Sequence, residues 1–307
     1  MTQPTGVRYM EAPRSPRPNV PYAEVIGEPV DHSKSPTIHK FWLAKLGMEG
    51  EYLATNIGAG YLSGYLAARR REPLWRGCSV TMPLKGEACW AVDLIDQLAH
   101  ASGATNCVAR LGEELVGRNT DVIGFAAALA PVLDPWLKAG LGESVRLSAH
   151  VVGAGGAARG AALALDRFYP TLPMSFFNRD ARKAQALSGE FRGHDGNGFT
   201  LPELHGHRPR GGDPREVILL VNATPMGMRG YPALPVNLAT YSEDTIVYDM
   251  VYAPVDTPLL VSARELGMKT VSGIDMLLGQ AAPAFEYFFG VPPPREHDAE
   301  LRELLSR

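Results

Sequence analysis

The stretch Val151-Val152-Gly153-Ala154-Gly155-Gly156-Ala157-Ala158 decides the fold of the second half of this chain. It ends an apolar run, Leu147–Gly153, that is typical of a buried strand, and it opens the helical run Ala157–Tyr169. The G-x-G-x-x-A spacing lets the backbone turn tightly and approach a pyrophosphate, which the N–H groups at a helix start can bind. Any tight turn from strand to helix can use glycine, but here both elements lie where the motif requires them. We therefore predict a Rossmann-like, dinucleotide-binding domain.

The end of the next predicted strand, Met174–Asn178, bears on which dinucleotide is bound, because Arg179 and Asp180 follow it directly. An acidic residue at this position suits the ribose hydroxyls of NAD, whereas an arginine suits the additional phosphate of NADP. Arg179, with Lys183 one turn later, favours NADP, and Asp180 leaves NAD open. The alternative is an ordinary exposed ion pair between Arg179 and Asp180.

The first half of the chain alternates strands and helices, beginning with a strand at Tyr22–Gly27. Ser35 and Pro36 are predicted as the N-cap and first residue of the following helix, and Leu84–Ile95 as a later helix. This alternation predicts a mostly parallel sheet with helices on its faces. A final helix at Asp275–Gly290 is expected to return to this first domain.

The length of 307 residues suits two domains, and we predict two α/β domains separated by a cleft. We predict a flexible, proline-rich leader at 1–21, which lacks the apolar core of a secretion signal. A ligand-binding domain is predicted at 22–121 plus 274–307, and the Rossmann-like domain at 122–273. The stretch His205–Pro214, rich in Gly, Pro, His and Arg, is predicted as an exposed loop.

The composition excludes several classes of protein. Charged residues make up 21% and hydrophobic residues 45% of the chain, with a net charge of −3, which argues against a nucleic-acid partner. Cys78, Cys89 and Cys107 form no C-x-x-C pair, so we expect no disulfide framework and a cytoplasmic location. We find no apolar run long enough for a bilayer, and the eight histidines show no metal-ligand spacing.

Seven further segments occur in order along the chain. They are S-K-S-P (33–36), S-V-T-M-P-L-K (79–85), G-A-T-N (103–106), G-R-N-T-D-V-I-G-F (117–125), N-A-T-P-M-G (222–227), Y-D-M-V-Y (248–252) and G-Q-A-A-P-A-F (279–285). Each alone has an ordinary explanation, such as a helix start, a surface lysine or a capped turn. Together with the glycine loop they closely resemble the shikimate dehydrogenase family, from about Tyr22 to Gly290.

The resemblance implies an NADP-dependent reduction of 3-dehydroshikimate to shikimate, with roles for matching residues. Lys85 and Asp121 match the catalytic pair. The residues implied in substrate binding are Ser33 and Ser35 for the carboxylate, Thr81 and Asn106 for ring hydroxyls, and Tyr252 and Gln280. Those implied in cofactor binding are Gly153, Ala154, Gly155, Gly156, Ala157, Asn178, Arg179, Asp180, Lys183, Thr224, Met250 and Gly273.

The chemistry of these side chains agrees with the implied roles. A polyhydroxylated acid offers a carboxylate and hydroxyls, which suit short Ser, Thr and Asn side chains in a small cleft. Hydride addition to a ketone leaves an oxyanion that must be protonated, and Lys85 is a suitable donor. Asp121 would fix the position of that ammonium group.

The chain departs from the family at four positions. Ser79 stands where Asn is usual, Thr105 where an aliphatic residue is usual, and Cys107 where Thr is usual, which bears on substrate preference. Asp180 stands where NADP users more often carry Thr or Ser, which bears on the cofactor.

Several alternatives stay open at this point. One is a quinate/shikimate dehydrogenase that uses NAD, and another is a relative from an aminoshikimate pathway. A third is a regulator that senses nucleotide or shikimate without turnover, although retention of Lys85 and Asp121 argues against it. We expect a monomer or a homodimer.

Overall fold

The computed structural model describes residues 16–138, 146–191, 198–205 and 216–306. Most of the predicted leader, and all of the predicted loop at 205–214 except its first residue, lie outside the described residues. The described chain divides into two compact units. The first runs up to Thr120 and includes Ala281–Leu301, and the second comprises Asp121–Gln280 with the end of the chain from Arg302.

The first unit contains a six-stranded sheet of mixed direction. Its strands are β1 Tyr22–Gly27, β2 Glu51–Asn56, β3 Trp75–Val80, β4 Leu94–Ile95, β5 Cys107–Leu111 and β6 Glu114–Arg118, in the order β2-β1-β3-β5-β6-β4. Its first four helices are α1 Ser35–Lys45, α2 Leu62–Arg69, α3 Lys85–Ala88 and α4 Gln97–Ser102. β1 pairs in parallel with β2 and β3, and β4 with β6, whereas β5 runs antiparallel to β3 and β6. The end of β3 and the start of β5 therefore lie at the same edge of the sheet.

The single long helix predicted at Leu84–Ile95 is wrong. The chain forms the short helix α3, then turns, and then the edge strand β4. The backbone N–H of Asp93 donates to Leu115 O (3.0 Å) and that of Asp96 to Gly117 O (2.9 Å). Pairing with β6 thus replaces the helical hydrogen bonds, and the Asp96 carboxylate caps the next helix by accepting from Ala99 N at 2.7 Å.

The predicted N-cap at Ser35 is also wrong, by one residue. Helix α1 already includes Ser35, and Lys34 occupies the N-cap position without a side-chain hydrogen bond to the helix. The backbone N–H of Ser35 instead donates to Ser33 Oγ at 3.3 Å. Pro36 lies in the first turn, where its missing N–H costs no helical bond.

The second unit contains a six-stranded sheet in which all pairs are parallel. Its strands are β7 Arg146–Val152, β8 Met174–Asn178, β9 Gly198–Thr200, β10 Glu216–Asn222, β11 Ile246–Asp249 and β12 Lys269–Ser272. The order β12-β11-β10-β7-β8-β9 is that of dinucleotide-binding folds, with the reversal of strand order between β7 and β10. The predicted Rossmann-like domain is confirmed.

The remaining helices follow in chain order. They are α5 Thr120–Lys138, α6 Gly156–Phe168, α7 Ala181–Ser188, α8 Pro258–Glu265, α9 Gly273–Phe289 and α10 Asp298–Ser306, with 3₁₀ turns at Leu201–His205, Leu238–Thr240 and Arg295–His297. Helix α5 has the length and apolar composition of a membrane span, contrary to our expectation from the sequence. A core helix has the same composition, and one such helix is weak evidence for a membrane.

Within the second unit, α5 and α9 approach each other backbone to backbone at two glycines. A Cβ atom on Gly124 would lie 2.6 Å from Gln280 N and 2.8 Å from Met276 O. A Cβ atom on Gly279 would lie 2.9 Å from Gly124 O. Because real side chains do not approach backbone atoms this closely, only glycine permits the contact. The contact sets the spacing between the helix that begins at Thr120 and the helix that carries Gln280.

We predict that Gly124→Ala lowers the free energy of unfolding by about 1–3 kcal/mol, because the added methyl group overpacks this contact. The measurement is thermal or urea unfolding of both proteins. The matched control is Gly64→Ala in α2, where an added Cβ meets nothing within 4 Å. Its better helix propensity should leave stability unchanged or raise it by up to about 1 kcal/mol. Equal stability of Gly124→Ala and the wild type would contradict the packing argument.

Candidate active site

The predicted carboxylate site lies at the start of α1 in the first unit. Ser33 N donates to Val30 O (3.0 Å), and Val30 N donates to Asn56 Oδ1 (3.1 Å), so the segment after β1 is held in place. Ser33 is half-buried and Ser35 buried. Two serines at the N-terminal end of an eleven-residue helix suit an anion, because the positive end of the helix dipole lies there.

The predicted hydroxyl ligands Thr81 and Asn106 lie where β3 ends and β5 begins. Thr81 N donates to Ile26 O (2.9 Å), and Val80 N donates to Asn106 O (2.7 Å). Gly27, with φ +154°, faces the Thr81 methyl group so closely that a Cβ atom would clash with it. The structure therefore brings Thr81 and Asn106 to one edge of the first sheet.

The buried amide of Asn106 has a role that the sequence did not reveal. Its Nδ2 donates to Thr120 Oγ1 (2.9 Å), and its Oδ1 accepts from Thr120 N (2.6 Å). Asn106 thus fixes the first residue of α5, and Asp121 is the next residue along the chain. Direct contact between Asn106 and a substrate stays a prediction.

Lys85 is the first residue of α3 and is partly exposed. Its carbonyl accepts from Thr105 N at 2.8 Å, which links the lysine backbone to the residue before Asn106. The Cys89 thiol lies 3.7 Å from the same carbonyl and 3.4 Å from Thr105 Oγ1. Thr105 therefore supports the backbone at Lys85. Asp121 is the first residue of the second unit, and the pairing of Asp121 with Lys85 stays a prediction.

In the second unit, strand register aligns the predicted cofactor residues. Val152, Asn222, Asp249 and Ser272 are consecutive neighbours across β7, β10, β11 and β12. The residues that follow them form the next row, namely Gly153, Ala223, Met250 and Gly273. Because these are the carboxyl ends of parallel strands beside the reversal of strand order, this row lies where such sheets bind ligands.

Two glycines of this row have no room for a side chain. A Cβ atom on Gly153 (φ +122°) would lie 2.9 Å from Ala223 O. A Cβ atom on Gly273 would lie 2.5 Å from both Met250 O and Val251 O. The backbone can therefore approach a ligand closely at the turn after β7 and at the start of α9.

A pocket of about 360 Å³ opens beside this row. Seven of the predicted cofactor residues line it, namely Gly153, Ala154, Gly155, Asn178, Arg179, Lys183 and Thr224. Gly156, Ala157, Asp180, Met250 and Gly273 do not line it. The pocket also includes residues for which the sequence suggested no role, namely Phe177, Leu201, Ala223, Pro225, Met226, Tyr231 and Pro232. Of these, Ala223, Pro225 and Met226 lie within N-A-T-P-M-G, the one motif that could have identified them.

The geometry clarifies the ambiguous pair after β8. Asp180 is the N-cap of α7, and its Oδ1 accepts from Arg182 N (3.0 Å) and lies 3.4 Å from Arg182 Nε. The hydrogen bond from Arg182 N lowers the pKa of the Asp180 carboxyl. Arg179 and Lys183, by contrast, line the pocket as cationic side chains. Asp180 therefore caps α7, whereas Arg179 and Lys183 line the pocket.

The other two predicted substrate residues lie in the second unit. Gln280 is buried, and its Nε2 donates to Leu277 O at 3.1 Å. Tyr252 is 36% exposed, three residues beyond the end of β11. Among the described residues, no group of three or more His, Cys, Asp or Glu side chains is placed to hold a metal ion.

Comparison with known proteins places this geometry in a family. The model of the shikimate dehydrogenase substrate binding domain matches residues 25–108, and that of the shikimate 5'-dehydrogenase C-terminal domain matches residues 273–300. A shikimate dehydrogenase (NADP(+)) from Sphingopyxis alaskensis is 44% identical over 286 residues, which cover 93% of this chain and 97% of the relative.

Two solved structures extend the comparison. A shikimate 5-dehydrogenase from Thermus thermophilus in complex with NADP(H) and shikimate is 34% identical, with a TM-score of 0.74, over 93% of this chain and 99% of that one. A quinate dehydrogenase from Corynebacterium glutamicum in complex with NAD is 27% identical, with a TM-score of 0.77, over 94% and 99%. Because the Sphingopyxis relative is 44% identical over 93% of this chain, the chain belongs to the shikimate dehydrogenase family.

Proposed function

We propose that this chain catalyses the reversible, NADPH-dependent reduction of 3-dehydroshikimate to shikimate, a step of chorismate and aromatic amino-acid biosynthesis. The observation that carries the proposal is the 44% identity, along nearly the whole chain, to a relative named shikimate dehydrogenase (NADP(+)). The cationic lining of the pocket beside the glycine loop supports the same cofactor.

The residues of the second unit fit NADP. Gly153–Gly155 form the turn that a pyrophosphate can approach, at the start of the thirteen-residue helix α6. Arg179 and Lys183 would bind the additional phosphate through charge-assisted hydrogen bonds, each worth about 1.5–3 kcal/mol. Asp180 does not oppose them from within the pocket, because its carboxylate caps α7. When bound, NADPH supplies the hydride.

The residues of the first unit would bind 3-dehydroshikimate and transfer the proton. Ser33 and Ser35 would hold the carboxylate at the start of α1, and Thr81 would bind a ring hydroxyl. Lys85 would donate a proton to the oxygen of the reduced carbonyl, and would accept it in the reverse direction. From the second unit, Asp121 would hold the ammonium group in position, and Tyr252 and Gln280 would contact the substrate.

We place the enzyme in the cytoplasm. Its three cysteines form no disulfide in the described structure, and Cys78 and Cys107 are buried. Cysteines that are not in disulfides fit a reducing compartment. The ordinary balance of charge fits small-molecule ligands.

We predict that Lys85→Ala lowers kcat by about 100- to 10,000-fold, the usual contribution of a general acid or base. The dissociation constant for NADP should change little, because the predicted cofactor residues all lie in the second unit. Steady-state kinetics and calorimetric titration measure the two quantities. Lys40→Ala, at an exposed lysine of α1, is the control. A loss of less than tenfold in kcat would remove Lys85 from the catalytic role.

We predict that Arg179→Ala raises KM for NADP at least tenfold and leaves KM for NAD nearly unchanged, because only NADP carries the phosphate that the guanidinium would bind. The control is Arg182→Ala, at a neighbouring arginine whose side chain is 91% exposed beside Asp180 and does not line the pocket. Equal effects of Arg179→Ala on both cofactors would show that Arg179 does not recognise this phosphate.

We predict that kcat/KM is highest for shikimate with NADP when shikimate and quinate are each assayed with NADP and with NAD. A preference for quinate with NAD would support the alternative suggested by Asp180 and by the Corynebacterium neighbour. Tight binding of NADP or shikimate without any change in the absorbance of the nicotinamide would support the third alternative, a regulator that senses its ligand without turnover.

A further inference from the structure

The second unit contains a buried carboxylate to which the family resemblance assigned no role. Asp249 is the last residue of β11 and has no exposed surface. Burial raises the pKa of its carboxyl group, which disfavours the charged form. The described residues form no ion pair with it. A carboxyl group held in this way needs well-placed hydrogen-bond donors.

Three donors surround the carboxyl group, and they come from three different segments. Asn222 Nδ2 (2.9 Å) and Val251 N (3.0 Å) donate to Oδ1, and Thr257 Oγ1 (2.6 Å) donates to Oδ2. Asn222 ends β10, Val251 follows β11, and Thr257 is the N-cap of α8. Asp249 therefore joins two strand ends and a helix start at the ligand edge of the sheet.

The amide of Asn222 links Asp249 to residues that line the pocket. Its Oδ1 accepts from Thr224 N (3.1 Å) and Thr224 Oγ1 (2.7 Å), and its Nδ2 also donates to Met226 O (2.9 Å). Thr224 Oγ1 in turn accepts from Met226 N (3.1 Å). Thr224, Pro225 and Met226 all line the pocket. These three residues form one wall of the pocket, the Thr224–Met226 wall, and Asp249 orients the Asn222 side chain that is hydrogen-bonded to it.

The bond to Val251 acts on the other part of the same edge. Val251 follows Met250, whose N–H donates to Asn222 O at 3.0 Å. The carbonyl oxygens of Met250 and Val251 define the surface against which Gly273 packs. One carboxyl group thus sets the geometry of the segments after β10 and β11 together.

We propose that Asp249 is a positioning residue for the cofactor, which holds the Thr224–Met226 wall in its binding geometry through Asn222. The proposal rests on the proposed function of the pocket as the NADP site. Asp249 itself does not line the pocket and takes no part in the hydride or proton transfer. Its loss should therefore weaken binding of the dinucleotide selectively.

The test compares Asp249→Ala, Asp249→Asn and the wild type by calorimetric titration with NADP and, separately, with shikimate. Asp249→Ala removes the acceptor for Asn222 and Val251 and should raise the dissociation constant for NADP at least tenfold. Asp249→Asn retains one acceptor oxygen, so its value should lie between those of Asp249→Ala and the wild type. The dissociation constant for shikimate should stay within twofold in both variants.

The matched control is Thr245→Val. Thr245 precedes the same strand at its opposite end and is fully buried, and its hydroxyl has no hydrogen-bond partner among the described residues. Its replacement perturbs the core of the same unit without touching the Asp249 network, so binding of both ligands should stay within twofold of the wild type.

A dissociation constant for NADP within twofold of the wild type in Asp249→Ala would overturn the proposal, as would an equal loss of shikimate binding. If Asp249→Ala does not fold, Asp249→Asn decides: a rise of threefold or more for NADP alone supports positioning, and a smaller rise overturns it. Turnover of 3-dehydroshikimate by the wild type tests the proposed function independently. Failure there is therefore distinguishable from failure of the positioning role.

Discussion

The parallel register of β7, β10, β11 and β12 is the constraint on which the cofactor half of the molecule depends. Because four neighbouring strands end at one level, segments far apart in the chain begin side by side. The glycine turn after β7, the Thr224–Met226 wall and the start of α9 thereby meet at one edge of the sheet. Hydrogen bonds between side chains, with Asp249 among them, then set the fine geometry that backbone pairing alone leaves free.

Local signals made most of the fold predictable. Apolar runs and the glycine motif identified β1, β7, β8 and β10 because buried parallel strands read as continuous apolar sequence. The prediction failed at Leu84–Ile95, where pairing of Asp93 and Asp96 with β6 overrides helical periodicity. That partner lies about twenty residues along the chain, so a local pattern could not reveal it.

The candidate site was predictable where a motif carries its own chemistry and less so elsewhere. Arg179 and Lys183, which the sequence singles out, line the pocket, and Tyr231 and Pro232 line it from a turn with no recognisable signal. The role of Asn106 as a ligand for hydroxyls stays a prediction, and no signal in the sequence indicates that its amide also binds Thr120. Such roles depend on which buried groups find each other, and spacing along the chain does not encode that.

The capping role of Asp180 has a consequence for engineering coenzyme preference. Replacing Asp180 by alanine to strengthen phosphate binding would also remove the N-cap of α7, which lowers the free energy of unfolding by about 1 kcal/mol. Lys183 belongs to α7, so loss of the cap would also make the position of the Lys183 side chain less well defined. Serine or threonine at this position keeps an oxygen for the cap while discarding the negative charge. Retargeting between the two nicotinamide coenzymes is therefore best attempted with hydroxyl side chains.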